Sequence, residues 1–410
     1  MKRRIHAAGQ RTRANWKSGL TVALVSLPLS ISLAVASGAT PTMGIITAIW
    51  AGLFSSMFGG SHYNVVGPTG ALSGTIALYA AAQGTAALPM LAIVTGLIIL
   101  AAWVFRLDRL VRKIPSHTVH GFTIGVAVTI AATQLGSGFG IALPSSITEQ
   151  FAKISYYFSH IPEANPGTTL VFASFLLALF LIKKYAPSVP GAIVLSPVGI
   201  LAGYLAHKGV FSFTLLTLGD VFPTMIPKIA EGIRIFFDSS LLVPALGIAL
   251  IAIIETGISA TIADTMTGTA HDPKKEIFGL ALGNIASGVF GGIPATAALA
   301  RTSLNIKSGA DHKTSGVINA VFIVAISFLL LGFFKFIPMA VTAAILVYVA
   351  YQLIEREALA HSWKNARKQF FIILVVAALC VYKDTIWGIG LGIALHGAGL
   401  GIQKIKARFF

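Results

Sequence analysis

Apolar runs long enough to enter a lipid bilayer follow one another from about residue 18 to residue 402, separated only by short breaks carrying Pro, Gly or charge. Inside hydrocarbon every backbone polar group must find its partner within the protein, so only helices and closed barrels cross. Runs approaching 20 apolar residues, without strict alternation, are helical spans. The first half gives runs near 18–37, 43–58, 68–82, 88–105, 117–135, 168–184 and 190–206. The second gives runs near 241–262, 276–289, 294–307, 315–334, 337–351, 369–382 and 385–402. The fold class is therefore an all-α polytopic membrane protein with 14 transmembrane segments, seven plus seven. Residues 207–240 mix Asp220, Pro223, Pro227, Glu231 and Arg234 with apolar residues, as a long loop with a surface helix would. Residues 146–158 and 355–368 are amphipathic and are expected to lie along the interface.

Composition closes the other routes. The 410 residues are 55% hydrophobic and 11% charged, with a mean hydropathy of +0.82, against about 25% charged in soluble domains. That excludes a soluble enzyme and a disordered chain. The single cysteine excludes a disulfide framework and a thiolate metal cluster. A formal charge of +16 would suit nucleic acid, but the cations do not form one patch. They cluster between spans at residues 2–17, 106–113, 183–184, 274–275, 356–368 and 404–408. A cytoplasmic amino terminus puts all these clusters on the inner side, as the positive-inside rule requires. It leaves only Lys153, Lys208, Lys228, Arg234, Lys335 and Lys383 outside. The expectation is a multi-pass cell-membrane protein with both termini cytoplasmic, lipid as its surroundings and no nucleic-acid partner. Met1 to Lys17 is basic and polar and has no cleavable signal of its own.

Two interruptions match. Phe58-Gly59-Gly60 and Phe290-Gly291-Gly292 each follow the second span of a half, and each precedes a proline and a stretch of small residues. A unit of seven crossings reverses its own duplicate, so the halves form an inverted repeat whose broken spans meet near the midplane. A proline in the first helical turn starts a helix cleanly. The unpaired N–H groups there carry about half a positive charge and form a ready anion site. Small residues let a ligand reach the backbone. The candidate binding residues are Pro68, Thr69, Gly70 and Ala71 in the first half, and Thr296, Ala297, Ala298 and Leu299 in the second.

Three side chains add to these backbone groups. Glu255 is the only acidic residue well inside an apolar run, where a carboxylate costs roughly 2.5 to 3.5 kcal/mol. Lost hydration favours the neutral acid, so Glu255 is assigned to coupling, binding and releasing a proton. Ser259, one turn on, shares its face and is placed with it. Arg301 stands about one turn into the second broken helix. Either it holds a fixed positive charge at the anion site or its guanidinium reaches the cytoplasmic interface; the sequence leaves both open. Asn284 and Asn305 read as helix-packing hydrogen bonders, and His62, His117 and His120 as surface or interfacial. No metal set and no cofactor motif is present. No nucleophile, base and oxyanion set marks an enzyme.

From Ile254-Glu255 through Ala263-Asp264-Thr265-Met266-Thr267-Gly268, Gly283-Asn284-Ile285 and Phe290-Gly291-Gly292-Ile293-Pro294 to Ala300-Arg301-Thr302, the chain resembles the sulfate permease family of anion transporters. Leu27-Pro28-Leu29, Ala36-Ser37-Gly38, Phe58-Gly59-Gly60-Ser61 and Val66-Gly67-Pro68-Thr69-Gly70-Ala71 are similar too. The resemblance implies a core domain (17–115 and 239–313) and a gate domain (116–206 and 314–410), beside a cytoplasmic segment 1–16 and an inter-repeat loop 207–238. It implies an anion held between the third and tenth spans and carried by elevator-type movement, often in a homodimer. The substrate class is a small inorganic or carboxylate anion, sulfate or bicarbonate first, with a co-transported proton in preference to sodium. Leu29 occupies the first-span position where sulfate carriers have glutamine, which joins it to the binding set and leaves bicarbonate open. Most members continue into a cytoplasmic STAS domain, whereas this sequence stops at Phe410. The rivals are an anion channel or an exchanger without proton coupling, and a nucleobase permease of the same architecture.

Overall fold

The computed structural model describes residues 2–106, 115–144, 147, 150–187, 189, 191–211, 213–222, 239–354, 356–383, 387–388, 390–392 and 394–395. The first half comprises α1 (Lys2–Ala36), α2 (Pro41–Phe58), β1 (Val66–Gly67), α3 (Gly70–Gln83), α4 (Leu88–Val104), α5 (Ser116–Thr133), α6 (Gln150–Ser159), α7 (Pro166–Tyr185) and α8 (Gly191–His207). The second comprises α9 (Leu242–Thr267), α10 (Pro273–Val289), β2 (Thr296–Ala297), α11 (Leu299–Lys307), α12 (Thr314–Phe334), α13 (Met339–Leu353), α14 (Arg356–Asn365) and α15 (Arg367–Tyr382). Seven spans of the first half and six of the second are helical among the described residues, consistent with the fourteen-span, seven-plus-seven layout. The last span, expected near 385–402, lies largely outside the described residues.

Local chemistry sets several of these boundaries. α2, α7 and α10 each open on a capping side chain followed by proline. Thr40 accepts from the Met43 amide, Asn165 from Thr168, and Asp272 from Lys274 and Lys275. The side-chain oxygen satisfies amides left over by the helix, and proline has no amide to leave over. α9 ends at Gly268 in the left-handed conformation. The segment 1–16, expected as a separate cytoplasmic piece, is helical from Lys2 and continuous with the first span. Its Lys, Arg, Ala and Gln are strong helix formers. Of the loop 207–240, the described part holds a short helical turn, Leu218–Val221, and the start of a 3-10 turn, Ser239–Leu241, that leads into α9; residues 223–238 lie outside the described residues.

Packing sorts the helices into two groups. α10 lies between α2 and α4, while α12 lies against α1 and α2, and α9 touches α3, α4 and α11. The second group is α5, α7, α13 and α15, with α15 on α5 and α13 on α5 and α7. A boundary at 313/314 would put α12 with the second group. The structure instead seats it on α1, where Gly19 lets Ile318 and the Ser315 carbonyl close against the helix backbone. Close approach over small residues is how helices gain contact in lipid, where no hydrophobic drive separates them from the solvent. The groups meet chiefly where α3 lies against α5 and where α1 meets α8 and α13.

Candidate functional site

The two interruptions converge. β1 and β2 pair antiparallel, Val66 opposite Ala297 and Gly67 opposite Thr296. The amide of Ala298 extends the pairing by donating to the Val65 carbonyl at 3.2 Å. Because the strands run oppositely, α3 and α11 leave the pair in opposite directions and their amino-terminal ends flank it. Neither N-cap residue, Thr69 or Ala298, makes a side-chain capping bond. The first-turn amides of both helices are thus left to a ligand or to solvent. Gly70, Ala298 and Leu299 are partly open, and Ala300 is exposed.

The helices do not begin on proline, as the sequence reading expected. Pro68 lies in extended chain ahead of α3, and Pro294 lies five residues ahead of α11. A proline disfavours helical conformation in the residue before it and brings no amide to be buried unsatisfied. Both properties suit an extended segment inside a membrane.

α9 is the wall that joins the two broken spans. Thr69 donates its hydroxyl to Glu255 Oε2 at 3.2 Å. One residue on, the Ala297 amide donates to Thr256 Oγ1 at 3.2 Å, Thr256 and Thr296 hydroxyls lie 2.9 Å apart, and Thr296 donates to the Ala252 carbonyl at 3.0 Å. Since Thr296 spends its proton on Ala252, Thr256 must donate to Thr296, and the chain of bonds has one direction. A turn later Ser259 donates to Asn64 Oδ1 and Thr302 Oγ1 at 2.9 and 3.0 Å. Ala252, Thr256 and Ser259 form the buried face of α9; Glu255 is half-buried on the adjoining face.

This arrangement divides the expected set into committed and open positions. Thr296 and Ala297 are fully buried, and the Thr296 hydroxyl and Ala297 amide are committed to α9. They hold the strand pair; the open positions are Gly70, Ala298 and Leu299. Ser259 donates to Asn64 and Thr302, pinning α9 to the first broken span and to α11. Leu29 is buried on α1, and it is Leu33, one turn on, whose Cδ2 lies 3.8 Å from where a Cβ on Gly70 would stand. His117 is buried, not interfacial, while His62 is exposed with its ring 5.1 Å from that of His312.

The two readings of Arg301 are resolved toward the interior. Its side chain is 1% exposed, and its Nη2 donates to the Pro68 carbonyl at 2.8 Å. Nε and Nη1 are buried without a partner among the described residues. Gly67 makes the room: a Cβ there would collide with Nη1. An arginine keeps its charge, so a permanent cation with two spare donors lies beneath β1, close enough to Glu255 for each to act on the other's charge.

Sequence reasoning missed Glu276 and Thr47, which fold the broken segments, and had Asn284 and Asn305 as packing hydrogen bonders without their partners. Glu276, near the start of α10, is 5% exposed, and its carboxylate accepts from the Gly60 and Ser61 amides at 2.8 and 2.7 Å and from Asn64 Nδ2 at 2.7 Å. Glu276 is thus a second acid inside the protein, more deeply buried than Glu255. Thr47 does the reciprocal work from α2, accepting from the Ile293 amide at 2.7 Å, with Ser287 donating to the Ile293 carbonyl. Asn284 brackets Ala295, donating to its carbonyl and accepting from its amide. Asn305 donates to the Tyr63 carbonyl and to Ser315. The legible signal was polar residues in otherwise apolar second spans, beside backbone that must be satisfied without water.

A sequence model of the sulfate permease family matches residues 13–376. A putative sulfate transporter, YvdB, of Bacillus subtilis is 31% identical over 394 residues, covering 94% of this chain and 73% of its own length. The bicarbonate transporter BicA of Picosynechococcus sp. is 27% identical over 392 residues, covering 92% and 68%. Among solved structures, the transmembrane domain of a cyanobacterium bicarbonate transporter BicA matches with a TM-score of 0.81 at 24% identity, over 92% of this chain and 97% of that one. The structure of SLC26A9 matches with a TM-score of 0.83 at 15% identity, over 96% and 66%. At those identities the solved structures show a shared fold.

Proposed function

The chain belongs to the sulfate permease family, and from that premise we propose that it is a secondary active transporter of a small anion, sulfate or bicarbonate, held between the amino-terminal ends of α3 and α11. The observation that carries the reading is the β1–β2 pair, which sets two uncapped helix ends beside the buried charge of Arg301. An anion in that pocket meets N–H donors it does not have to reorganise, the condition under which helix ends replace hydration.

Glu255 supplies the coupling in this account. Ionised, its carboxylate offsets the Arg301 charge and weakens the field an anion would feel; protonated, it leaves Arg301 uncompensated. Proton and anion therefore favour each other's binding, by the same factor in each direction. Thr69 ties the two events together, because its hydroxyl donates to Glu255 while its backbone leads into α3. The moving core is α1–α4 with α9–α12, and the gate is α5, α7, α8, α13 and α15, which moves the second boundary from 313 to about 334. The side chains across the two halves, Glu276 on Gly60 and Thr47 on Ile293, support carriage of the site as one body. The protein resides in the cell membrane with both termini in the cytoplasm.

The test is uptake into proteoliposomes of labelled sulfate and bicarbonate under imposed proton and sodium gradients in turn. An inward proton gradient is expected to drive accumulation of one anion, and Glu255→Gln to abolish that drive while leaving anion binding measurable. Indifference to both gradients, with flux that does not saturate, would support a channel instead.

A further inference from the structure

A cavity of about 670 Å³ lies within the second helix group, among the turn that follows α5, α6, the first turns of α7 and α13, and the end of α8. None of its lining residues belongs to the anion site. Backbone pairing builds its walls: the Asn165 amide donates to the Phe139 carbonyl at 2.8 Å, Met339 to Leu216 at 2.8 Å, and Leu218 to Ile337 at 2.9 Å. The turn 135–142 is thereby tied to α7, and the chain 214–218 to α13. The space is part of the fold, and it is open, since Thr214, Leu216 and Asp220 in its lining are exposed.

Inside it are donors with nothing to donate to. Tyr157 is 8% exposed and Thr168 9%, yet among the described residues neither hydroxyl has a hydrogen-bond partner. Such groups are rare in folded proteins because leaving them unpaired is costly. The two lie close together. A Cβ on Gly136 would stand 2.7 Å from the Tyr157 oxygen, and one on Gly140 3.3 Å from the Thr168 oxygen. Those glycines are one turn apart, so the hydroxyls flank a single turn that glycine keeps clear of them. Asn165 accepts the Thr168 amide through Oδ1 at 3.0 Å, which leaves its Nδ2 as a third donor. Burial raises the Tyr157 phenol above its ordinary range, so it stays a donor. Asn165 and Thr168 also stand at the amino-terminal end of α7, whose dipole adds positive potential there.

This set of donors suits an anionic head. The one acid among the lining residues, Asp220, is occupied on its own turn, its Oδ2 accepting the Thr217 amide and hydroxyl at 2.8 and 2.7 Å. The remainder of the ligand is apolar, because Ile141, Leu215 and Met339 supply the facing wall. Size agrees: an inorganic oxyanion would rattle in this volume, whereas cavities of roughly 300 to 1,000 Å³ enclose organic ligands.

We propose that this cavity binds an amphipathic organic acid, its anionic head on the Tyr157 and Thr168 hydroxyls and the Asn165 amide, its body against Ile141, Leu215 and Met339. A free carboxylic acid and an anionic phospholipid share that chemistry. The site is separate from the anion pocket and stands whether or not the transport reading does.

The experiment is calorimetric titration of 4-phenylbutyrate, beside the neutral 4-phenylbutanol, into the full chain in phosphatidylcholine nanodiscs. The acid is expected to bind saturably and the alcohol at least about tenfold more weakly. Tyr157→Phe and Thr168→Val should each weaken the acid about tenfold, the loss of one hydrogen bond to a charged group. Neither should lower the unfolding midpoint or the sulfate affinity, because neither hydroxyl holds another part of the chain. In discs containing phosphatidylglycerol, a raised apparent Kd for the acid upholds the site with a lipid as its natural occupant, and an unchanged Kd upholds it with a free acid. No saturable binding of the acid, equal affinity for acid and alcohol, or acid binding that both variants leave unchanged would overturn the proposal.

Discussion

Replacing Glu276 by glutamine changes one atom and breaks a three-way contact. The carboxylate accepts from two backbone amides, Gly60 and Ser61, and from Asn64 Nδ2, all within 2.8 Å. A glutamine keeps one acceptor oxygen and presents an NH2 to donors where the second oxygen stood. At least one buried N–H loses its partner. Hydrogen bonds to a charged group contribute about 1.5 to 3 kcal/mol each, and an orphaned buried donor costs about 1 to 3 kcal/mol. The expected destabilisation of Glu276→Gln is therefore about 2 to 3 kcal/mol, and Glu276→Ala, which deletes all three bonds, should cost roughly twice that. The lost order falls on residues 59–64, which lead directly into β1. Binding should suffer together with stability. The assay is thermal unfolding in detergent, with and without sulfate, beside a direct measurement of sulfate affinity. A lowered midpoint and a weakened sulfate response are expected in Glu276→Gln, and both should worsen in Glu276→Ala. An unchanged midpoint and unchanged affinity in Glu276→Gln would refute the claim that this carboxylate holds the first broken span.

Four further outcomes follow from the same geometry. Ala298→Phe, at the half-open N-cap of α11, should abolish sulfate binding with little change in unfolding temperature; Ala297→Phe, in the packed interior, should lower both. Arg301→Met should weaken sulfate binding at least tenfold, since a unit charge within a few ångströms contributes well over 1 kcal/mol in a partly dry site; equal affinity would remove Arg301 from the site. Gly70→Ala sets a Cβ against the Ile130 Cδ1 at the first turn of α3 and should weaken sulfate binding, whereas unaltered affinity would mean that Ile130 yields without moving the helix end. The Asp272 carboxyl, held below the usual range by the Lys275 amide, contributes capping stability above its unfolded value of about 3.9 and loses it as pH falls through its lower folded value. Asp272→Ala should thus cost about 1 kcal/mol at neutral pH, and the difference should vanish in strong acid.

The repeat was legible because both broken spans carry the same punctuation, Phe-Gly-Gly and then a proline with small residues, and because an odd number of crossings dictates inversion. That was enough to bring the two broken spans to one place near the midplane. It was not enough to divide the labour among them. Whether Thr296 faces a ligand or α9 depends on a hydroxyl relay through Thr256 and Ala252, which are scattered in sequence and ordinary in an apolar helix. Glu276 escaped notice for a similar reason. Four residues past Asp272 and beside Lys274 and Lys275, it reads as a solvated first-turn glutamate, and only the fold brings Gly60 and Ser61 onto it. Arg301 was undecidable from spacing, because burial and snorkelling begin from the same position. The position of α12 depended on its neighbour, and a hydropathy profile carries no information about which helix a span lies against.

The most direct test of the account is an anomalous difference map from crystals soaked in selenate, which scatters distinctively and has the shape and charge of sulfate. The account predicts a peak within hydrogen-bonding distance of the first-turn amides of α3 and α11, residues 70–72 and 299–301, beside Arg301. Selenate that binds in solution yet gives its peaks only elsewhere, with those amides unoccupied, would contradict it.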